Sequence, residues 1–211
     1  MKSAFSILNY GMGNLASIYN MFKKIGVFSK IISTPEEIQE ARALIIPGVG
    51  HFDNAIREIQ SRGYREYLDE AALSRRIPIL GICLGMQLMT RGSEEGQLPG
   101  LGWLKANTRR IDGESHNLRV PHMGWNLVNL KKPSPYFDDS LAEHRFYFVH
   151  SYAVRCDDQS DVLATTRYAG DFVSAFSVAN LTGVQFHPEK SHRFGATFFR
   201  NFAAAHGLMA S

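Results

Sequence analysis

Two short segments carry residues whose types and spacing suit nucleophilic catalysis. The first is Gly81-Ile82-Cys83-Leu84-Gly85, in which a glycine stands two residues before and two residues after a cysteine. The apolar run 77–82 predicts a buried strand of a parallel sheet, and residues 84–91 predict a helix. A cysteine at such a strand-to-helix turn is the thiol counterpart of the nucleophile elbow. A lone buried cysteine is usually structural, but the paired glycines favour Cys83 as a nucleophile.

The predicted turn also favours the negatively charged thiolate form of Cys83. The N-terminus of the following helix carries partial positive charge, which stabilises a thiolate. The backbone N–H of Leu84, the next residue, is predicted to point to where an oxyanion would form.

The second segment, Gln185-Phe186-His187-Pro188-Glu189, ends a predicted strand over residues 182–186. The proline favours extended geometry at His187, and residues two apart in an extended segment share a face. Glu189 would then orient His187, and His187 would serve as the base for a thiol. A histidine at a strand end is commonly just a polar terminus, so this prediction depends on its combination with Cys83.

The surrounding elements predict how these segments are positioned. Strands predicted at residues 4–8, 30–33 and 43–46 alternate with helices before the Cys83 strand, which indicates an α/β fold with a mostly parallel central sheet flanked by helices. After Arg91, short β-like runs without long helices predict an additional antiparallel β region. No linker or repeat interrupts the sequence, so residues 1–211 are predicted to form one domain.

Two glycine-containing loops fall near the predicted edge of the sheet. Pro47-Gly48-Val49-Gly50 follows the third strand, at the carboxyl end where such sheets bind ligands. The segment from Asn9 to Ala16 contains G-x-G-x-x-A, a dinucleotide fingerprint, but the second strand ends in Ser33-Thr34 without the acidic residue that binds ribose. We interpret these glycines as a tight turn beside a site.

Composition excludes several classes of protein. A net charge of +3 is too small to indicate nucleic-acid binding, and no apolar run is long enough to span a membrane. Two cysteines, Cys83 and Cys156, offer no disulfide framework, which favours a cytoplasmic location. The histidine spacings do not resemble a zinc site, so we expect no metal and no cofactor.

The elbow and the His187-Pro188-Glu189 segment resemble those of class I glutamine amidotransferases, and Pro47-Gly48-Val49-Gly50 is similar to their oxyanion loop. Four further motifs narrow the resemblance to the glutaminase subunits of imidazole glycerol phosphate synthases, over essentially the whole chain. These motifs are Tyr10-Gly11-Met12-Gly13-Asn14-Leu15, residues 121–126, Phe148-Val149-His150-Ser151-Tyr152 and Glu189-Lys190-Ser191.

The resemblance implies a glutaminase that converts glutamine to glutamate and ammonia. Cys83 would attack the side-chain amide, His187 would act as base and then as acid, and Glu189 would orient His187. The residues implied to hold the oxyanion or bind glutamine are Gly48, Val49, Gly50, Leu84, Gln87, Ser151 and Tyr152.

The resemblance also implies a heterodimer. Ammonia would pass to a separate (β/α)8 cyclase that makes imidazole glycerol phosphate and an aminoimidazole carboxamide ribotide in histidine biosynthesis. The residues implied to contact this partner are Asn14, Met123, Trp125 and Lys190.

Two features leave the ammonia acceptor open. Asn9 stands where these subunits usually have aspartate, and the segment 190–195 is similar to paralogues that supply ammonia for surface-polysaccharide sugars. Two other classes of protein remain alternatives. The first is a stand-alone cysteine hydrolase or peptidase, and the His-Pro-Glu order argues against it. The second is a non-catalytic scaffold subunit, and the retained Cys83 and His187 argue against that.

Overall fold

The computed structural model describes residues 5–138 and 140–209. Its strands are β1 (Phe5–Leu8), β2 (Ser29–Ile32), β3 (Leu44–Gly48), β4 (Ile79–Cys83), β5 (Ala106–Arg110), β6 (His122–Leu127), β7 (Asn129–Leu130), β8 (Arg145–His150), β9 (Tyr152–Cys156), β10 (Val162–Arg167), β11 (Asp171–Val178) and β12 (Leu181–Val184). Its α-helices are α1 (Leu15–Lys24), α2 (Pro35–Gln39), α3 (Phe52–Ser61), α4 (Arg65–Asp69), α5 (Leu84–Leu88) and α6 (His192–Ala205). None of the described helices is long and apolar enough to cross a membrane.

Ten strands form one sheet with the order β2-β1-β3-β4-β12-β11-β10-β7, and β9 and β5 extend it beside β11. The strands from β2 to β12 in this order run parallel to their neighbours. From β11 onward the pairing is antiparallel. The predicted fold class, a mostly parallel α/β sheet with an additional antiparallel region, is confirmed.

Apolar side chains cover the parallel strands on both faces. Along β3, Leu44 and Ile46 belong to one core and Ile45 to the other. The first core contains side chains of α2 to α5, and the second contains Phe22 of α1 and Phe199 of α6, whose ring centroids are 4.7 Å apart. Burial on both faces explains why these strands are continuous apolar runs in the sequence.

Strands β6 and β8 form a separate two-stranded antiparallel sheet. His122 pairs with His150 at one end, and Trp125 pairs with Tyr147 further along. Side chains alternate along β6, so His122 is buried whereas Trp125 is 44% exposed. This sheet therefore presents one face to solvent and the other to the region around Cys83.

The structure corrects two predicted elements and adds one strand. The helix after Cys83 ends at Leu88 rather than at residue 91, because the N–H of Thr90 turns back to the carbonyl of Gln87. The helix predicted over residues 64–76 is α4 followed by a π-helical turn, Glu70–Ser74. Strand β9 was not predicted, since its polar end obscures the apolar alternation. Residue 4 of the first predicted strand lies outside the described residues.

Candidate active site

Cys83 occupies a strained turn between β4 and α5. Its backbone has φ 54° and ψ −109°, a conformation that costs energy for a residue with a side chain. A Cβ on Gly81 would lie 2.7 Å from the carbonyl carbon of Gly85, and one on Gly85 would collide with the backbone of Ile46. The two glycines therefore let α5 pack against the sheet and hold the thiol at the strand end.

His187 lies behind this thiol and is held by a buried carboxylate. Its Nδ1 is 2.8 Å from Oε1 of Glu189, and the two side chains are 1% and 2% exposed. Nε2 has no hydrogen-bond partner in the described part of the chain. Burial lowers the pKa of His187, but interaction with the Cys83 thiolate, and then with Glu189, outweighs burial and raises this pKa to about 10. The arrangement favours the protonated form of His187.

The predicted reason for the contact between His187 and Glu189 is wrong. His187 has extended geometry, but Pro188 begins a 3-10 turn, Pro188–Lys190. The two side chains therefore meet across a turn rather than on one face of a strand. Ser191 stabilises this turn, because its hydroxyl donates to the His187 carbonyl at 2.6 Å.

Two buried glutamines extend the surroundings of the thiol. Nε2 of Gln185 lies 3.6 Å from Sγ of Cys83. Gln87 donates to Oε1 of Gln185 at 3.0 Å and to the Tyr152 carbonyl at 3.1 Å. The sequence analysis did not select Gln185, although a polar residue directly after an apolar strand and two residues before His187 was an available signal.

A cavity of about 310 Å³ opens at the thiol. Its lining contains six of the seven residues predicted for the oxyanion and for glutamine. The lining residues are Val49, Gly50, Cys83, Leu84, Gln87, Glu95, Pro121, Val149, His150, Ser151 and Tyr152. The seventh predicted residue, Gly48, lies behind the lining, in register with Cys83 on β4.

Glu95 is the carboxylate of this lining, and the sequence analysis missed it. Its Oε2 accepts a hydrogen bond from the backbone N–H of Phe52 at 2.9 Å, which ties the loop to the start of α3. The turn-rich segment around Glu95 has no periodicity that would place it in a site. A carboxylate at this position suits a ligand that carries an ammonium group.

A pair of buried histidines stands on the wall formed by β6 and β8. His122 Nδ1 lies 3.0 Å from His150 Nε2, and His150 Nδ1 lies 2.8 Å from the carbonyl of Tyr152. Burial lowers the pKa of His150 to about 3 and that of His122 to about 4, so both rings are neutral near pH 7. Among the described residues, no group of three potential metal ligands comes together.

The residues predicted to contact a partner are accessible. Trp125 stacks on His192 with centroids 5.6 Å apart, and beside it Lys190 Nζ lies 5.9 Å from the ring of Tyr147. Met123 is 62% exposed. Asn14 caps α1 by accepting from the N–H of Ser17 at 3.2 Å.

The side chain of Asn9 has a local structural role. Its Oδ1 accepts from the N–H of Gly11 at 3.2 Å, and its Nδ2 donates to Oγ of Ser33 at 3.1 Å. An aspartate oxygen would accept the first of these hydrogen bonds equally well. Gly11 and Gly13 have φ of 85° and 94°, so the segment is a tight glycine turn.

Comparison with known proteins gives consistent matches. The family model described as "Glutamine amidotransferase class-I" matches residues 6–205. The chain is 46% identical to "Imidazole glycerol phosphate synthase subunit HisH 2" of Methanococcus maripaludis, covering 93% of this chain and 97% of the relative. It is 40% identical to "Imidazole glycerol phosphate synthase subunit HisH" of Leptospira borgpetersenii, covering 94% and 98%. A crystal structure described as a glutamine amidotransferase superposes with a TM-score of 0.76 at 18% identity, covering 97% of this chain and 100% of that chain.

Proposed function

The chain belongs to the class I glutamine amidotransferase family, and from this premise we propose that it is the glutaminase subunit of an imidazole glycerol phosphate synthase. The observation that carries the proposed chemistry is the cluster at the elbow. Cys83 stands on a strained turn beside His187, whose Nδ1 is held 2.8 Å from a buried Glu189 oxygen. The names of relatives that match nearly end to end support the pathway.

The reaction begins with attack of the Cys83 thiolate on the side-chain amide carbon of glutamine. The carbonyl oxygen becomes an oxyanion, and in this proposal the N–H groups of Leu84 and of the Val49-Gly50 segment hold it. The Leu84 N–H is free for this role because the first N–H groups of a helix lack intrahelical acceptors. The Nε2 proton of His187 then passes to the amide nitrogen, ammonia leaves, and a thioester remains.

Hydrolysis of the thioester completes the cycle. Neutral His187 takes a proton from water, and the resulting hydroxide adds to the thioester carbon at the same oxyanion site. Collapse breaks the C–S bond, releases glutamate and restores the thiolate–imidazolium pair. Glu189 keeps His187 in one tautomer through both stages, since its oxygen accepts from Nδ1.

The lining of the cavity offers groups that suit glutamine. Ser151 and Tyr152 form one wall, and Gln87 supports that wall through the Tyr152 carbonyl. We infer that Glu95, which lines the cavity, attracts the α-ammonium group. The site works without a cofactor, because nucleophile, acid–base group and oxyanion donors all come from the chain.

The ammonia goes to a (β/α)8 cyclase subunit in a heterodimer, where it is used to form imidazole glycerol phosphate and the aminoimidazole carboxamide ribotide. Met123, Trp125, Lys190 and Asn14 are accessible for this contact. The whole chain, 1–211, acts as one glutaminase domain, and its two free thiols suit the reducing cytoplasm.

Replacement of the nucleophile tests the proposed chemistry. Cys83→Ala should abolish release of glutamate from glutamine, while a complex with the cyclase should still form product from added ammonium salts. Cys156→Ala is the matched control, because Cys156 is also a buried free thiol but lies on β9, outside the cavity. Substantial glutamate release by Cys83→Ala would show that another residue is the nucleophile.

A further inference from the structure

Tyr10 has no part in the reaction described above, yet it contacts the oxyanion loop, Pro47-Gly48-Val49-Gly50. The side chain is completely buried, and its hydroxyl donates to the backbone carbonyl of Pro47 at 2.5 Å. The same oxygen lies 2.8 Å from the position that a Cβ would take on Gly48. The phenol oxygen therefore binds the Pro47 carbonyl and fills the space that a side chain at position 48 would need.

The start of the loop lies in the sheet, whereas its end is exposed and contains a glycine with positive φ. Gly48 is in register with Cys83 on β4, and Pro47 is packed from the other side by the turn at Gly13. Val49 is 41% exposed, and Gly50 has φ of +112°, a conformation that suits glycine. The orientation of the Val49–Gly50 peptide therefore depends on how firmly the preceding peptide is held.

The Tyr10 hydroxyl remains a hydrogen-bond donor under working conditions. Burial raises the pKa of Tyr10 far above its ordinary value, and the nearby Cys83 thiolate raises it further. A protonated phenol that donates to a carbonyl is a fixed contact, because a buried carbonyl without a donor is costly.

We propose that Tyr10 is a positioning residue for the oxyanion site. Its hydroxyl fixes the Pro47–Gly48 peptide, so that the N–H groups of the next two residues stand beside Cys83. Tyr10 itself does not touch the substrate and acts through the loop. This role rests on the proposed glutaminase function, since only a reaction with an oxyanion needs the loop in this position.

The test compares two buried tyrosines that make the same kind of hydrogen bond. Tyr10→Phe removes the hydroxyl beneath the loop. Tyr64→Phe is the matched control, because the Tyr64 side chain is 1% exposed and its hydroxyl lies 2.5 Å from the Ser33 carbonyl and 3.3 Å from the Asn9 carbonyl, neither of which lines the cavity. Both variants keep the aromatic ring, so packing is retained, and circular dichroism and thermal melting verify the fold.

The first readout is independent of activity. Hydrogen–deuterium exchange of the peptide containing residues 47–52 should become faster in Tyr10→Phe and stay unchanged in Tyr64→Phe. This measurement reports on the loop even if the chain hydrolyses no glutamine, so failure of the proposed function and failure of the Tyr10 role are distinguished.

The second readout separates positioning from general damage. In Tyr10→Phe, kcat for glutamine hydrolysis should fall by about tenfold or more while KM changes less than about twofold, because the loss falls on the transition state. Alkylation of Cys83 by iodoacetamide, followed by peptide mass spectrometry, should keep its rate, since this substitution forms no oxyanion. Tyr64→Phe should leave kcat, KM and the alkylation rate of Cys83 unchanged.

Three results would overturn the role of Tyr10. Unchanged exchange in Tyr10→Phe would mean that the hydroxyl does not hold the loop. Faster exchange with unchanged kcat would mean that the held loop does not serve the reaction. Equal losses of kcat in Tyr10→Phe and Tyr64→Phe would mean that any lost buried hydrogen bond has the same effect.

Discussion

His187 and Glu189 are in direct contact but have unequal roles in the proposed reaction. His187 carries protons in both stages, whereas Glu189 only orients it. His187→Asn should therefore lower kcat for glutamine by about 10⁴-fold or more. The fold-loss of kcat in Glu189→Gln should be about a hundred times smaller than the loss in His187→Asn. Steady-state glutamate release measures both. Equal losses in two well-folded variants would contradict the assigned roles.

The same histidine is expected to contribute less to the stability of the folded protein at alkaline pH. Its pKa rises from 6.5 to about 10 in the folded protein. A raised pKa means that the contribution of His187 to stability is fully present below pH 6.5 and is lost as the pH rises through about 10. The difference in melting temperature between wild type and His187→Asn should therefore shrink between pH 6.5 and pH 10. A difference that grows over this range would contradict the raised pKa of His187.

Glu95 is expected to act on substrate binding alone. Its carboxylate lines the cavity but has no place in the proton transfers, so Glu95→Gln should raise KM for glutamine by about tenfold and leave kcat within about threefold. Glu94→Gln is the matched control, because the Glu94 carboxylate accepts from the Arg109 guanidinium and from the backbone N–H of Arg110 instead of lining the cavity. A large fall in kcat with unchanged KM would assign Glu95 to the chemical step.

The turn from β4 to α5 depends on glycine at positions where no other residue fits. A Cβ on Gly85 would overlap the carbonyl of Ile46, so Gly85→Ala must displace α5 from the sheet. We expect a loss of about 1–3 kcal/mol in the free energy of unfolding, together with loss of activity. Gly92→Ala should be nearly neutral, since its Cβ would meet only one atom, at 3.9 Å. Urea titration compares the stability of Gly85→Ala and Gly92→Ala. Equal stability of the two variants would contradict the close approach of Gly85 to the Ile46 carbonyl.

The sheet of β6 and β8 joins the exposed Trp125 to the wall of the cavity. Trp125 and Met123 face solvent from the same strand whose His122 contacts His150, and His150 holds the Tyr152 carbonyl. A chain of contacts therefore runs from the accessible face to the cavity lining.

The sequence predicted those features that depend on local patterns. Buried parallel strands appear as apolar runs, and the elbow needs glycines at fixed spacing from Cys83, so the fold class and the cluster at the thiol could be anticipated. The role of Glu95 and the contact between His122 and His150 could not be anticipated. Glu95 lies in a turn without periodicity, and the histidine pair exists only because β6 and β8 lie side by side, a long-range pairing that local pattern does not reveal.

The whole molecule has to limit glutamine consumption when no acceptor for ammonia is present. The oxyanion loop ends in an exposed Val49 and in Gly50, and a glycine permits a peptide flip at little steric cost. We infer that a partner controls the rate by favouring one orientation of the loop N–H groups. We therefore expect weak glutamine hydrolysis by the isolated chain. A (β/α)8 cyclase loaded with its ribulosyl substrate should stimulate hydrolysis by at least about tenfold.

Trp125 tests whether this stimulation passes through the proposed face. Trp125→Ala should weaken association with the cyclase by about tenfold or more, because a large exposed aromatic ring is a typical interface hot spot, while the isolated variant stays folded. Phe28→Ala is the matched control, since Phe28 is 48% exposed but lies beside β2, at the far edge of the sheet. Titration calorimetry gives both affinities. If the wild-type chain neither binds nor responds to the histidine-pathway cyclase, its ammonia goes to another acceptor; if it responds and both variants bind equally well, the partner docks on a different face.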